Sequence, residues 1–218
     1  IGMGPFLMHF ASCIVSLFIN QQLKTPGGDL AIGAYGIANR ITFFFLMICM
    51  GFNQGMQPIA SYNWGARLYS RVRKVFWLTT GCMTVVTVIC FLVSHLFPHV
   101  AVRLFTEDPT LEEHAIYGLK IMNMAIGIIS INLVASNLYQ NLGMVSKSIF
   151  LSLSRQLLIL VPLLYLLPLS MNEAGVWYAF PISDIASFII SLTLITSTLR
   201  KFRNLKDGDE PTMFRSKI

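Results

Sequence analysis

The stretch 75–97, VFWLTTGCMTVVTVICFLVSHLF, runs from Val75 to Phe97 without a formally charged side chain. A helix needs roughly 20 mostly apolar residues to cross the hydrocarbon core of a bilayer. The stretch is apolar throughout instead of alternating in short pieces, which favours a helix over a strand of a membrane barrel. It therefore predicts a membrane-spanning helix.

Similar runs lie on both sides of this stretch. They are 3–23, 30–58, 115–142, 149–170 and 174–199. The composition agrees, because 55% of the residues are hydrophobic, only 12% are charged and the mean hydropathy is +0.65, whereas soluble domains carry about 25% charged residues. The predicted fold class is all-α, a polytopic membrane protein with six transmembrane helices. Residues 1–206 form the six-helix transmembrane lobe, and 207–218 form a polar cytoplasmic tail that we expect to be poorly ordered.

Basic residues are distributed unevenly between the gaps. Of the 16 Lys and Arg, we assign twelve to the second and fourth gaps or to the end after the last run, counting Arg155 with the fourth gap although it stands within 149–170. Three go to the other gaps, counting Lys120 with the third although it stands within 115–142, and Arg40 lies deeper inside a run. The two groups alternate as six spans require, and the positive-inside rule then places both ends in the cytoplasm. The net charge of +6 is thus explained by topology and does not predict nucleic-acid binding.

Polar side chains inside the runs mark candidate sites. A charge in the hydrocarbon core costs at least roughly 2.5–3.5 kcal/mol, so we expect Arg40 to face the bundle interior or a wet cavity, either binding helix-end carbonyls or serving a solute pathway. Amide side chains concentrate on the first, second and fourth runs, where they either join helices or line a cavity walled by those three runs. The predicted substrate-cavity residues are Asn39, Arg40, Gln54, Gln57, Asn123 and Asn132.

Titratable groups are sparse in the runs. Asp184 lies in the outer part of the last run, where it either caps the helix entry or takes part in cation coupling. His95 and His99 are four residues apart, but Pro98 interrupts the turn between them, so we predict no metal site. The chain shows no catalytic motif, and we expect neither an enzyme nor a bound cofactor.

Four stretches carry a family resemblance. They are QGMQPIASYNWGA at 54–66, AIGAYGIANRI at 31–41, Ser154-Arg155-Gln156 with Pro162, and GVW at 175–177 with PISD at 181–184. In this order they resemble the multidrug and toxic compound extrusion (MATE) transporters, with the first stretch at the end of the eighth helix of that family.

The resemblance implies a twelve-helix transporter of two lobes, of which this chain is the C-terminal lobe, helices seven to twelve. It implies an antiporter of the plasma (inner) membrane that exports small cationic amphipathic drugs in exchange for H⁺ or Na⁺ by alternating access. The chain opens on an apolar run without a start methionine, so we expect an N-terminal six-helix lobe as its partner in the bilayer. Some members carry coupling acids on helices seven and ten. The corresponding runs here have none, so the coupling residue stays unassigned, with Asp184 as a candidate in this lobe.

Other functions remain open from the sequence. A flippase for lipid-linked saccharides belongs to the same superfamily and needs a basic cavity for pyrophosphate, for which Arg40, deep within its run, is the candidate cation. A non-transporting membrane subunit would not need so many polar groups within its spans.

Overall fold

The computed structural model describes the backbone of residues 3–209, and their side chains except at 3–9, 25–27 and 204. This part of the chain is helical and contains no strand. The helices are α1 (Met3–Gly65), α2 (Tyr69–Leu96), α3 (Pro98–Arg103), α4 (Pro109–Met122), α5 (Ile129–Asn141), α6 (Val145–Leu153), α7 (Val161–Met171) and α8 (Glu173–Asn204), with a 3₁₀ turn at Ile126–Ile128 and a π-helical turn at Ser154–Leu160.

Four helical segments in the described range are long and apolar enough to cross a membrane. They are Gly28–Gly65, Tyr69–Leu96, Val145–Met171 and Glu173–Arg203. A fifth is present if Pro109–Met122 and Ile126–Asn141, which meet at 42°, form one broken span. An all-helical membrane protein is therefore confirmed. The first predicted run, 3–23, includes side chains outside the described ones, and six spans stay a prediction.

Large apolar side chains are exposed along the length of the bundle. Leu17 is 70% exposed, Leu78 66% and Leu169 74%, although all three lie inside helices. Water-exposed apolar surface on this scale favours association or membrane contact. These side chains are therefore suited to contact with lipid or with further protein inside a membrane.

Helix α1 consists of two segments that meet at Gly28. This residue has φ 62° and ψ −155°, a conformation that glycine adopts at little cost because it has no Cβ. The same cavity is lined by residues that lie at similar chain distances before and after Gly28: Ser16 with Asn39, and Ile19 with Tyr35. The two segments therefore run side by side in opposite directions.

The predicted continuous run 115–142 is interrupted between α4 and the 3₁₀ turn. Asn123 ends α4 with φ −93° and ψ 8°. Its side chain is buried and hydrogen-bonded to other helices, which holds this residue in place across the break. Non-helical backbone is tolerated at membrane depth where it lies inside protein or beside a cavity.

Two glycines permit close contact with α8. A Cβ on Gly118 of α4 would lie 2.5 Å from the ring of Trp177, and one on Gly175 would lie 2.5 Å from the backbone of Leu167. Trp177 is completely buried. These contacts fix α8 against α4 and α7, and so position the part of α8 that follows Trp177.

The tail is ordered as far as it is described. Asp207 accepts hydrogen bonds from the backbone N–H and the hydroxyl of Ser70, and the amide of Gly208 donates to the carbonyl of Arg67 over 3.0 Å. Asp207 thereby satisfies an N–H group in the first turn of α2, and poor order of the remaining tail stays a prediction. Residues 210–218 lie outside the described part.

Candidate functional site

A cavity of about 320 Å³ lies inside the bundle. Both segments of α1, the break after α4, the π-helical turn and α8 contribute to its wall. Its polar lining side chains are Ser12, Ser16, Tyr35, Asn39, Thr42, Asn123, Arg155, Gln156 and Asp184, and its aromatic ones include Phe43 and Phe180. Pockets that mix apolar walls with a few polar groups are typical of small-molecule sites.

Asn39 and Asn123 are the two predicted cavity residues that the structure brings together here. The hydroxyl of Thr42 donates to Oδ1 of Asn123 over 3.0 Å. Nδ2 of Asn123 donates to Oγ of Ser94 over 3.0 Å. Asn123 therefore connects the second segment of α1 to α2 while it lines the cavity.

Arg155 and Asp184 form an ion pair in the cavity wall. Nε of Arg155 donates to Oδ1 of Asp184 over 2.8 Å, and their side chains are only 22% and 5% exposed. Asp184 is eleven residues beyond Glu173, which places it about 16 Å along α8 at 1.5 Å per residue. This is roughly half the thickness of a hydrocarbon core.

A π-helical turn carries Arg155 into the wall. The turn spans Ser154–Leu160, and Pro162 follows it closely. Proline has no amide hydrogen, so the carbonyl of Leu158 cannot receive the usual bond from residue 162. Single π turns within helices are frequent at functional sites, and this one places Arg155 and Gln156 beside the cavity.

The cavity wall is closed by contacts between elements that are distant in sequence. Nε2 of Gln156 donates to Oγ of Ser12 over 3.0 Å. The rings of Tyr35 and Phe180 stack with centroids 6.1 Å apart, and the ring of Tyr35 lies 6.3 Å from that of Trp177. The first segment of α1 is thereby joined to the π-helical turn, and the second segment to α8.

Four predicted residues do not line this cavity. Three of them lie on α1 with exposed side chains: Arg40, Gln54 and Gln57. Asn132 is buried in the core, where its Nδ2 donates to Oγ of Ser191 over 2.7 Å. Its amide thereby joins α5 to α8, the other role that the sequence left open, and a place in a substrate cavity stays a prediction for Asn132.

Arg155 was missed as a site residue because it was counted among the basic residues of the fourth gap. It lies inside the Val145–Met171 segment, so it provides no support for the positive-inside rule. Its position within the apolar run 149–170 was the signal that could have identified it. Of the two roles that the sequence leaves open for Asp184, the structure does not support a cap, because Asp184 lies inside α8 and pairs with Arg155. Cation coupling stays a prediction.

The side chains of His95 and His99 have different partners. Nδ1 of His95 lies 2.9 Å from the carbonyl oxygen of Phe91, while Nδ1 of His99 lies 2.9 Å from Oε1 of Glu112. Glu112 also accepts from Nε of Arg103 over 3.0 Å. Among the described residues, no group of three potential ligands is close enough to hold a metal ion.

The MatE family profile matches residues 1–166 of the chain. The chain belongs to the MatE family.

Curated MATE relatives agree with this assignment. The chain is 24% identical over 197 residues to the multidrug export protein MepA of Staphylococcus haemolyticus (strain JCSC1435), covering 90% of this chain and 43% of that protein. It is 25% identical over 195 residues to MepA of Staphylococcus aureus (strain N315), covering 89% and 43% respectively. The chain thus spans less than half the length of these relatives.

Solved MATE structures share the fold. The MATE multidrug transporter DinF-BH, solved in complex with rhodamine 6G, is 35% identical and superposes with a TM-score of 0.81, covering 94% of this chain and 46% of that chain. The crystal structure of MATE in the straight conformation superposes with a TM-score of 0.87 at 18% identity, also covering 94% and 46%. The second comparison supports the fold alone.

Proposed function

We propose that this chain is the C-terminal lobe of a multidrug efflux antiporter and that the cavity beside Arg155 and Asp184 is part of its drug-binding path. The observation that carries the proposal is this cavity, which is lined by both aromatic and polar side chains inside a MatE-family membrane bundle. The multidrug export proteins among the relatives support the same class of function.

We place the protein in the plasma (inner) membrane, with six spans and with both ends of this chain in the cytoplasm. The segment of α1 before Gly28 supplies the sixth span, in addition to the four segments and the broken pair. Two clusters support the orientation. Arg67, Arg71 and Lys74 precede or begin α2, and basic residues follow Thr198 at the end of α8.

The proposed transport cycle is alternating access, in which this lobe moves against a second six-helix lobe. Arg40 and Gln54 support an aqueous face between the lobes. They are 14 residues apart, so at 3.6 residues per turn they lie within about 40° of each other on one side of α1. Both are exposed, and polar side chains on a spanning helix face protein or water in preference to lipid.

The proposed coupling ion is H⁺ or Na⁺, and we place its carboxylate in the other lobe. Asp184 is the acid that lines the described part of this cavity. Its charge is already balanced by Arg155 at 2.8 Å, so a coupling ion that bound Asp184 would have to displace that guanidinium.

The charge of the cavity does not favour a flippase for lipid-linked pyrophosphates. Arg40 is exposed outside this cavity, and Arg155 is balanced by Asp184. A pyrophosphate carries several negative charges, which this pair would leave largely uncompensated.

Transport by the whole protein in vesicles tests the proposal. We expect efflux of the cationic dye rhodamine 6G that depends on an imposed ion gradient, and separate H⁺ and Na⁺ gradients identify the coupling ion. A control protein with Asn39→Trp, which fills the cavity, should lose efflux while remaining folded. Gradient-independent dye distribution in the parent protein would contradict antiport.

A further inference from the structure

We propose that Arg155 is an anion-recognition residue, whose terminal guanidinium nitrogens bind the carboxylate of a zwitterionic aromatic ligand in the cavity. The inference rests on the proposed function, because it specifies which chemical class of drug the same cavity selects. It assigns a specificity-determining role to a residue that also maintains the ion pair with Asp184.

The first support is the way Arg155 is bound. Its hydrogen bond to Asp184 uses Nε, and a guanidinium has five N–H donors in all. Within the described part of the chain, the terminal nitrogens of Arg155 have no hydrogen-bond partner. The bond at Nε fixes the orientation of the side chain, so the terminal donors remain available at a defined place in the wall.

The second support is chemical complementarity. Donors in a partly closed cavity are costly to leave unpaired, so water or a ligand oxygen must accept from them. The planar fork of a guanidinium matches the two oxygens of a carboxylate and binds it in a bidentate manner. A ligand carboxylate is therefore the group that satisfies the terminal nitrogens best.

The third support is the charge balance. Arg155 and Asp184 are the charged residues of the described cavity lining, and they cancel each other. A purely cationic ligand is attracted by Asp184 but repelled by Arg155, and a purely anionic one is attracted by Arg155 but repelled by Asp184. A zwitterion presents its carboxylate to Arg155 and its cationic group towards Asp184, so the site and the ligand remain neutral together.

The apolar part of the wall selects for a ring system. Tyr35 and Phe180 are stacked with centroids 6.1 Å apart, and Phe43 lies on the same cavity. Aromatic faces bind flat ring systems and also attract delocalised cations. The preferred ligand is therefore an aromatic amphiphile that carries a carboxylate as well as a positive charge.

A matched pair of dyes tests the inference on the purified whole protein. Rhodamine 6G is an ethyl ester with one positive charge, and its free acid is the zwitterion with the same ring system. Equilibrium fluorescence binding gives a dissociation constant for each dye. We expect the parent protein to prefer the acid, and Arg155→Gln to shift the ratio of the two constants at least tenfold towards the ester.

Further variants separate recognition from folding. Arg155→Lys keeps the charge but lacks the fork, so it should retain an intermediate preference. The double variant Arg155→Gln with Asp184→Asn leaves no unpaired charge, and it should show the shifted ratio even if Arg155→Gln alone misfolds. Arg71→Gln, which removes an exposed cation outside the cavity, should keep the parent ratio.

The outcomes distinguish the inference from the function on which it rests. A ratio that is the same in the parent protein and the double variant overturns the role of Arg155, while binding of rhodamine 6G leaves the exporter proposal standing. Absence of binding by either dye overturns both. A shifted ratio in the double variant with a parent-like ratio in Arg71→Gln supports the inference.

Discussion

Arg155 and Asp184 depend on each other because each would be an isolated charge inside the bundle. We predict that Arg155→Gln or Asp184→Asn alone lowers the free energy of unfolding by about 3–5 kcal/mol, since each leaves its partner as an uncompensated buried charge. The double variant should recover most of this loss. Denaturant titration in detergent micelles measures it, and a double variant that loses as much as the two single variants combined would contradict the pairing.

Asn123 is the residue on which the broken span depends. We predict that Asn123→Ala lowers the free energy of unfolding by about 1–3 kcal/mol, because the buried hydroxyls of Thr42 and Ser94 lose their common partner. Asn137→Ala is the matched control, since Nδ2 of Asn137 bonds the carbonyl of Leu133 within its own helix. Equal losses in the two variants, measured by the same titration, would contradict a stabilising role for the hydrogen bonds that join Asn123 to Thr42 and Ser94.

For single residues, the sequence predicted which polar side chains lie inside the bundle better than it predicted what each of them contacts. Asn39 and Asn123 could be predicted as cavity residues because amides are costly in an apolar run. Asn132 lies in the same run and looks equivalent, but its neighbour Ser191 comes from α8, which no local pattern reveals. Arg155 differs from Asn132, because its place within the apolar run 149–170 marks it as a residue inside a span, although its partner Asp184 on another helix could not be predicted locally.

Among the described glycines, Gly118 of α4 has the nearest side-chain neighbour, the ring of Trp177 on α8. Gly118→Ala would place a methyl group 2.5 Å from the Trp177 ring, and we predict a loss of about 1–3 kcal/mol in the free energy of unfolding from this overpacking. Gly81→Ala on α2 is the control, because its Cβ meets nothing within 4 Å, so it should be neutral or slightly stabilising. An unaffected Gly118→Ala protein would show that Trp177 moves freely.

Attachment of the tail to α2 should depend on pH. Hydrogen bonds from the hydroxyl and then the backbone N–H of Ser70 lower the pKa of Asp207 below its ordinary value. A lowered pKa in the attached state means that the contact is favoured above the ordinary carboxyl pKa and is lost as pH falls through the lowered pKa. Hydrogen exchange at the Ser70 amide, corrected for intrinsic rate, should therefore lose protection in acid.

Asp207→Asn provides the control for the tail. The amide cannot ionise, so protection at Ser70 should be lower near neutral pH and should no longer change with acid. A variant that retains the pH response of the parent protein would assign that response to another group.

At the scale of elements, the sequence located the apolar runs but not their interruptions. Long apolar stretches predict spans because the bilayer requires that length. The interruptions are the break at Asn123, the turn at Gly28 and the π-helical turn at Ser154–Leu160. Each depends on a partner in another helix, or on one glycine or proline among several in the chain. Those same interruptions position the cavity residues, so the site was less predictable than the helices.

For the whole molecule, lipid supplies the surroundings that the exposed leucines and phenylalanines need. We predict that the protein is monodisperse in detergent and aggregates when detergent is removed, because the exposed apolar surface then associates. Size-exclusion chromatography before and after detergent removal tests this prediction. A compact, monodisperse species in plain buffer would contradict a membrane fold.

We propose that the cavity beside Arg155 and Asp184 is part of the drug-binding path. The most direct measurement is the rate at which a maleimide labels Asn39→Cys, in a protein without other cysteines, with and without rhodamine 6G. Lys206→Cys, exposed beyond the end of α8, reports any general effect of the dye. We predict that the dye slows labelling at position 39 and leaves position 206 unchanged, whereas equal rates at position 39 with and without bound dye would contradict the claim.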